Sequence, residues 1–324
     1  MVSLFKQKSG SSVLLLVILS LLVHATFLIS PSELIYKKDS GLSGYLFSLV
    51  PVLPGVLCSF LYHVIVLIQA IRLNYILQNQ KMVQVSFLPA MTYILFSALY
   101  PYWNNITPAL LSNFFVIGLF SMAMRLPASQ NKTVICFNIG FITGLTVLFY
   151  PPLMFLMLVM LVSLLSMTAF QIRNILLYLL GLVLPFYFGF AYFYLTDGLK
   201  DILNFVPQFG LSVPTFADVK NMIVPFSLLA FMVVAGSFYL KINNMLITAR
   251  KGWSLLYTLL LIAPLGIFFL ENYSLETLLV ILGPTAAIAS NFFINNKSKV
   301  IAALVFWILF LACFYTVIEK YILP

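Results

Sequence analysis

Long apolar runs with almost no charge inside them are the feature that most limits what this chain can become. Cutting the 324 residues wherever charges or clusters of Asn, Gln and Pro interrupt those runs leaves eleven segments, 12–30, 50–71, 83–100, 107–124, 134–150, 152–170, 175–195, 222–240, 253–270, 277–294 and 300–318. About 20 mostly apolar residues in a helix cross the roughly 30 Å of bilayer hydrocarbon. In lipid every backbone N–H and C=O must be paired within the protein, which leaves helices or closed barrels, and these runs lack the two-residue alternation of barrel strands. The expected fold is therefore all-α, a polytopic transmembrane helix bundle of about 11 spans. A water-soluble alternative fails on composition. The chain is 63% apolar and 8% charged, against roughly 45–50% and about 25% in soluble proteins, so a globule made from it would expose large apolar patches and aggregate.

Orientation follows from where the few charges fall. With the N-terminus cytoplasmic, the inner loops carry Lys6, Lys8, Arg72, Lys81, Arg125, Lys132, Arg173, Lys241, Arg250, Lys251, Lys297 and Lys299, twelve of the seventeen basic residues. The outer loops carry the other five, Lys37, Lys38, Lys200, Lys220 and Lys320, and all eight acids. Cytoplasmic loops are enriched in Lys and Arg, so this sorting predicts a cytoplasmic N-terminus and a periplasmic C-terminus in a bacterial inner membrane. The net charge of +9 is then a membrane-topology signal, and nucleic acid is not an expected partner. Lys6 and Lys8 before an apolar run resemble a signal peptide, with Val23-His24-Ala25 a passable cleavage site, but the run continues to Ile29 and spans better as an anchor. The inner loops are too short for a soluble domain, and residues 1–324 read as a single integral membrane domain.

Soluble-enzyme motifs are absent. Cys58, Cys136 and Cys313 lie in separate apolar runs at no metal-ligand spacing and read as core residues. His24 and His63 are the ionisable groups expected at membrane depth; the plain reading is a neutral imidazole bonded to a neighbouring helix, the sharper one a relay or ligand pair. Gln69, Asn113 and Asn138 read likewise as interhelical hydrogen-bond partners. Pro89, Pro185, Pro264 and Pro284 are expected to interrupt spans, as kinks first and broken-helix sites second. Tyr62, Tyr100, Tyr102, Trp103, Tyr150 and Tyr192 fall near span ends and read as an interfacial aromatic belt.

The acids carry more chemistry. Glu33 and Asp39 follow the first span, and Asp197, Asp201 and Asp218 occupy the longest outer loop. An enzyme acting on a lipid-linked substrate needs carboxylates at the membrane surface, to take a proton from an acceptor hydroxyl or to hold a divalent metal against a phosphate. Solvated polar loops are the plainer account of the same residues. Residues 41–49 form a semi-apolar stretch that could lie in the interface, and Leu199, Ile202, Leu203 and Val206 have the spacing of a short amphipathic helix.

Residues 87–197 resemble the membrane core of the GT-C superfamily, polytopic glycosyltransferases that use polyprenyl-phosphate sugars. The likeness lies in Leu99-Tyr100-Pro101 ending one span, Ala109-Leu110-Leu111-Ser112-Asn113 opening the next, Arg125 closing it, and Gly140-Phe141-Ile142-Thr143-Gly144-Leu145 through Tyr150-Pro151-Pro152 in the following hairpin. The chain also looks like a family of uncharacterised Bacteroidota inner-membrane proteins with similar runs in the same order. The GT-C resemblance implies a first outer loop with an acidic catalytic residue leading into an interfacial helix, which places Glu33 and Asp39 as candidate base or metal ligand. The family's usual adjacent acidic pair does not occur in this loop. Three functions stay open: a lipid-linked glycosyltransferase, with polyprenyl-phosphate lipid as partner; a non-catalytic subunit packed against other inner-membrane proteins of an envelope or secretion assembly; and a lipid or small-solute transporter.

Overall fold

The computed structural model describes residues 2–6, 10–37, 41–168, 170–196, 210, 216–240, 242, 245–265, 269 and 275–321, with backbone alone at 216–221 and 316–321. Apart from one isolated parallel bridge between Leu34 and Ile106, the described residues form helices, turns and loops. In chain order the helices are α1 (Val2–Phe5), α2 (Gly10–Val23), α3 (Gly41–Ser48), α4 (Gly55–Asn79), α5 (Leu88–Ser97), α6 (Pro108–Arg125), α7 (Lys132–Phe149), α8 (Leu156–Met167), α9 (Ile172–Leu195), α10 (Phe216–Phe238), α11 (Ile247–Ile262), α12 (Leu282–Asn295) and α13 (Lys299–Tyr321). Each of the eleven apolar segments contains one of them.

Five stretches are long and apolar enough to cross a bilayer: Gly55–Asn79, Pro108–Ala128, Lys132–Phe149, Ile172–Leu195 and Leu275–Asn295. The protein is thus helical and membrane-embedded in character. Its surface agrees. On α9, Leu176, Leu180, Val183 and Tyr187 are all exposed at three- to four-residue spacing, the stripe a helix presents to lipid.

Several boundaries differ from expectation. The first helix ends at Val23 and gives way to a single 3-10 turn over Ala25–Leu28. α4 starts at Gly55 and runs on past Arg72 to Asn79. Arg72 lies 17 residues beyond Gly55, about 26 Å along the helix, so its charge sits near the far end of the span rather than in its middle. Pro89 and Pro284 lie in the first turns of α5 and α12, and Pro264 lies in a 3-10 turn, where a missing N–H costs nothing. Pro185 is inside a helix as expected, and Pro225 joins it. The stretch around Leu199 to Val206 lies outside the described residues.

The core centres on α5 and α12. All ten residues of α5 are buried, giving a helix of only about 15 Å, which reaches half-way across hydrocarbon and relies on its neighbours for the rest. Thr92 Oγ1 donates to Ala286 O of α12 at 2.9 Å and Cys313 Sγ of α13 donates to Leu95 O at 3.4 Å. α7 and α9 cross closely. A Cβ on Gly140 would stand 2.1 Å from Tyr178 O, one on Gly144 2.3 Å from Leu182 O, and one on Gly181 2.3 Å from Phe137 O. Small residues four apart let backbones approach in this way when lipid supplies no hydrophobic drive for association. The Gly140 to Gly144 pair is therefore a packing device.

Candidate functional site

The loops at one end of the bundle converge. Glu33 N–H donates to Asn105 Oδ1 at 3.0 Å, Ile106 N–H to Glu33 O at 2.9 Å, and Ile35 N–H to Ile106 O at 3.0 Å. Ser32 N–H donates to Ser59 Oγ at 3.0 Å, tying the same loop to the first turn of α4. The chain then enters α3 through Gly41, whose φ of +71° and contact with Pro151 and Leu148 leave no room for a side chain. At this end too, Trp103 Nε1 donates to Leu275 O at 3.4 Å, and the Tyr150 and Thr277 hydroxyls pair at 3.0 Å. Three further contacts join the chain at the opposite end. Phe87 N–H donates to Phe5 O, Asn295 Nδ2 to Tyr239 O, and Lys251 Nζ to Met167 O at 3.3 Å, the last placing a cation on a terminal carbonyl of α8, where the helix dipole favours it.

At the first end Thr26, Phe27, Ser30, Pro31, Asn104 and Asn105 line a shallow recess, open to solvent, whose enclosed part has room for about one water molecule. Glu33 stands at its rim, exposed, on a backbone pinned by the bonds to residues 105 and 106. Asn104 Oδ1 is buried with no hydrogen-bond partner among the described residues. Lys37 acts electrostatically on the half-buried Glu276, so a cation and a second carboxylate belong to the same end. Of the other acids expected in a site, Asp39, Asp197 and Asp201 lie outside the described residues, and Asp218 is placed only by its backbone, in the first turn of α10. Among the described residues no group of three His, Cys, Asp or Glu side chains comes together to hold a metal.

Beneath the recess the two histidines weighed as a pair from the sequence come together. His24 and His63, 39 positions apart, have ring centres 5.5 Å from each other, with Phe27 at 5.3 and 5.4 Å from them and Tyr62 at 5.1 Å from His24 and 6.3 Å from His63. His63 behaves as expected, its Nδ1 pairing with Ser20 Oγ of α2 at 2.9 Å. His24 does not: its Nδ1 meets Ser20 O of its own helix at 3.0 Å, while its Nε2 is buried with no partner. Tyr62 is likewise a buried member of this cluster rather than an interfacial anchor. Tyr100, Trp103 and Tyr150 are buried as well, and only Tyr102 and Tyr192 of the expected belt are exposed. These aromatics fill the space where the loops meet, with Tyr100 and Trp103 packed on Phe226. The signal for that role was their position beside loops rather than their type.

The polar residues expected in the interior divide similarly. Gln69 Nε2 donates to Leu110 O at 2.7 Å and its Oε1 accepts from Tyr93 Oη at 2.8 Å; Asn113 Nδ2 donates to Leu279 O at 3.0 Å. Both are interhelical partners, whereas Asn138 is exposed. Comparison with curated proteins and with solved structures finds no match. A family match covers residues 56–322 and so takes in His63, Asn104 and Asn105 but begins after Ser20, His24 and Glu33. The chain belongs to that family, described as a family of unknown function, DUF6427.

Proposed function

We propose that this is an eleven-span bacterial inner-membrane protein, N-terminus cytoplasmic and C-terminus periplasmic, that handles a polyprenyl-phosphate-linked sugar on its periplasmic face. The contacts between loops support the span count. Residues 33–35 touch 105 and 106, Gly41 meets Pro151, Trp103 meets Leu275, and Tyr150 meets Thr277; each pair joins residues in, or at span ends flanking, two odd-numbered gaps of the eleven-span assignment. Phe5 with Phe87, Tyr239 with Asn295 and Met167 with Lys251 each join the N-terminal segment or even-numbered gaps, or the span ends beside them, to one another. One missing or surplus crossing would mix the two groups.

The observation that carries the functional reading is the recess itself, with Glu33 fixed at its rim and a short helix, Gly41–Ser48, following the same loop. That order of span, acidic loop and short helix is what the GT-C resemblance implies. The neutral hydroxyl and amide groups around the recess can hydrogen-bond a polyol lying at the surface, and Asn104 Oδ1, which has no partner among the described residues, is an acceptor for one of its hydroxyls. In the reaction proposed, the acceptor oxygen attacks the anomeric carbon, its proton passes to the Glu33 carboxylate, and the polyprenyl phosphate leaves with the bonding electrons of the broken C–O bond. Neutralising the carboxylate while keeping its shape tests this. Glu33→Gln should abolish complementation of a deletion strain at matched membrane abundance and lead to accumulation of the lipid-linked donor. Full complementation by Glu33→Gln and by the Glu33→Gln/Asp39→Asn pair would transfer the assignment to the non-catalytic subunit.

A further inference from the structure

From the geometry around His24 we infer a monovalent soft-metal site, for Cu(I), between His24 and His63. Each ring has one nitrogen held by a hydrogen bond, as the rings of metal-bound histidines do. One residue, Ser20, holds both: its backbone carbonyl accepts from His24 Nδ1 at 3.0 Å and its hydroxyl pairs with His63 Nδ1 at 2.9 Å. That arrangement fixes His24 as the tautomer whose Nε2 carries the lone pair, and this Nε2 is buried, in a residue 1% exposed, with no partner. A buried acceptor left unpaired in this way is costly and calls for an occupant.

The spacing fits an ion. Imidazoles that share an ion at about 2.0–2.1 Å from one nitrogen of each have ring centres about 5–6 Å apart, and those of His24 and His63 are 5.5 Å apart. Two imidazoles leave such an ion open to a further ligand. Phe27 packs on both rings and also lines the recess, so the open position lies toward the recess, which gives a route of entry.

The surroundings choose the charge. No third His, Cys, Asp or Glu joins the pair among the described residues, so no anion neutralises the ion, and the neighbours are the rings of Phe27 and Tyr62. The cost of burying an ion grows with the square of its charge, so a divalent ion held by two neutral imidazoles would face about four times the penalty of a monovalent one. Imidazole suits copper, and Cu(I) accepts low coordination numbers where Zn(II) takes four ligands. This site does not rest on the glycosyl-transfer reading.

The test uses the full chain in detergent or nanodiscs under anaerobic conditions, titrated with Cu(I) against a chromophoric Cu(I) chelator and, separately, with Ag(I) and Zn(II). One equivalent of Cu(I) is expected, with Ag(I) competing for it, and copper-edge X-ray absorption should show two nitrogen ligands. His24→Gln and His63→Gln should each remove it. Ser20→Ala, which loses the bond to His63 but keeps the carbonyl bonded to His24, should weaken binding by about tenfold or more. Cu(I) should raise the thermal midpoint of the wild type and leave that of His63→Gln unchanged, a comparison that stays informative should His24→Gln fail to fold. Absence of stoichiometric Cu(I) binding, binding that survives in His63→Gln, or tighter retention of Zn(II) than of Cu(I) would overturn the inference.

Discussion

Replacing Gly144 by alanine tests the tight crossing of α7 and α9. The new methyl carbon would start 2.3 Å from Leu182 O, whereas carbon–oxygen contacts settle at about 3.3–3.6 Å, so α7 and α9 must separate locally by about 1 Å. Overpacking of this size costs about 1–3 kcal/mol, and the gain in helix propensity from Gly to Ala returns at most about 1 kcal/mol. A net loss of roughly 1–2 kcal/mol follows. Gly140→Ala, at 2.1 Å from Tyr178 O, should cost a similar amount. The double variant should cost clearly less than the two losses added, because helices already forced apart by one methyl accommodate the next, and contacts sharing one interface are not additive. The control is Gly10→Ala: Gly10 opens α2 and a Cβ there meets nothing within 4 Å, so its midpoint should not fall. Unfolding in detergent can be followed with a dye that fluoresces on reaction with thiols, since Cys58, Cys136 and Cys313 are all buried thiols. A Gly144→Ala midpoint equal to wild type, or strict additivity of the pair, would refute the close crossing of α7 and α9.

Other outcomes follow from the same structure. A reporter active only outside the cytoplasm should be active when fused after Pro324 and silent when placed between Lys241 and Lys251; the reverse pattern would sink the eleven-span assignment. Gln69 bridges Leu110 O and Tyr93 Oη, so Gln69→Leu should lower stability by about 1–3 kcal/mol because it removes two buried interhelical hydrogen bonds, while Tyr93→Phe should cost less, as measured by the same thiol-reactive melt. Asn105→Ala removes the acceptor for Glu33 N–H; if the pinned loop sets the position of the carboxylate, complementation should fall without loss of membrane abundance, and unchanged complementation would show that the pinning is dispensable.

Much of the fold was legible because the bilayer imposes a length scale that a single sequence carries in its runs of apolar residues. Each expected segment holds a helix, and the interior amides Gln69 and Asn113 reach across helices as polar groups in lipid must. What the runs do not show is how far a helix extends inside or beyond them. Hydropathy marks the part of α4 that meets lipid, but its continuation through Arg72 to Asn79 follows from the buried partners of Asn74, Ile76 and Leu77, which no local pattern announces. α5 is the converse case: its segment is long enough on paper, yet only ten residues are helical, because complete burial against α12, α4 and α2 lets turns satisfy their backbone inside protein instead of in lipid.

The sites divide along the same physical line. Glu33 could be singled out because carboxylates are scarce and a span boundary places this one at the surface. The recess could not be, because its walls come from two gaps more than 70 residues apart, joined by a bridge between Leu34 and Ile106 that uses backbone atoms and leaves no trace in side-chain type. The histidine pair failed for a different reason. Each imidazole taken alone is accounted for by one hydrogen bond, and the sequence offers every polar residue of a neighbouring span as its partner. Only the finding that Ser20 serves both rings through their Nδ1 atoms removes those partners from competition and leaves one lone pair over. A ligand site of two residues is therefore decided by what the second nitrogen of each ring is doing, which depends on the rotation of α2 against α4 by a fraction of a turn. Hydropathy is blind to that rotation, and a measurement at His63, on the less buried side of the pair, reads it directly.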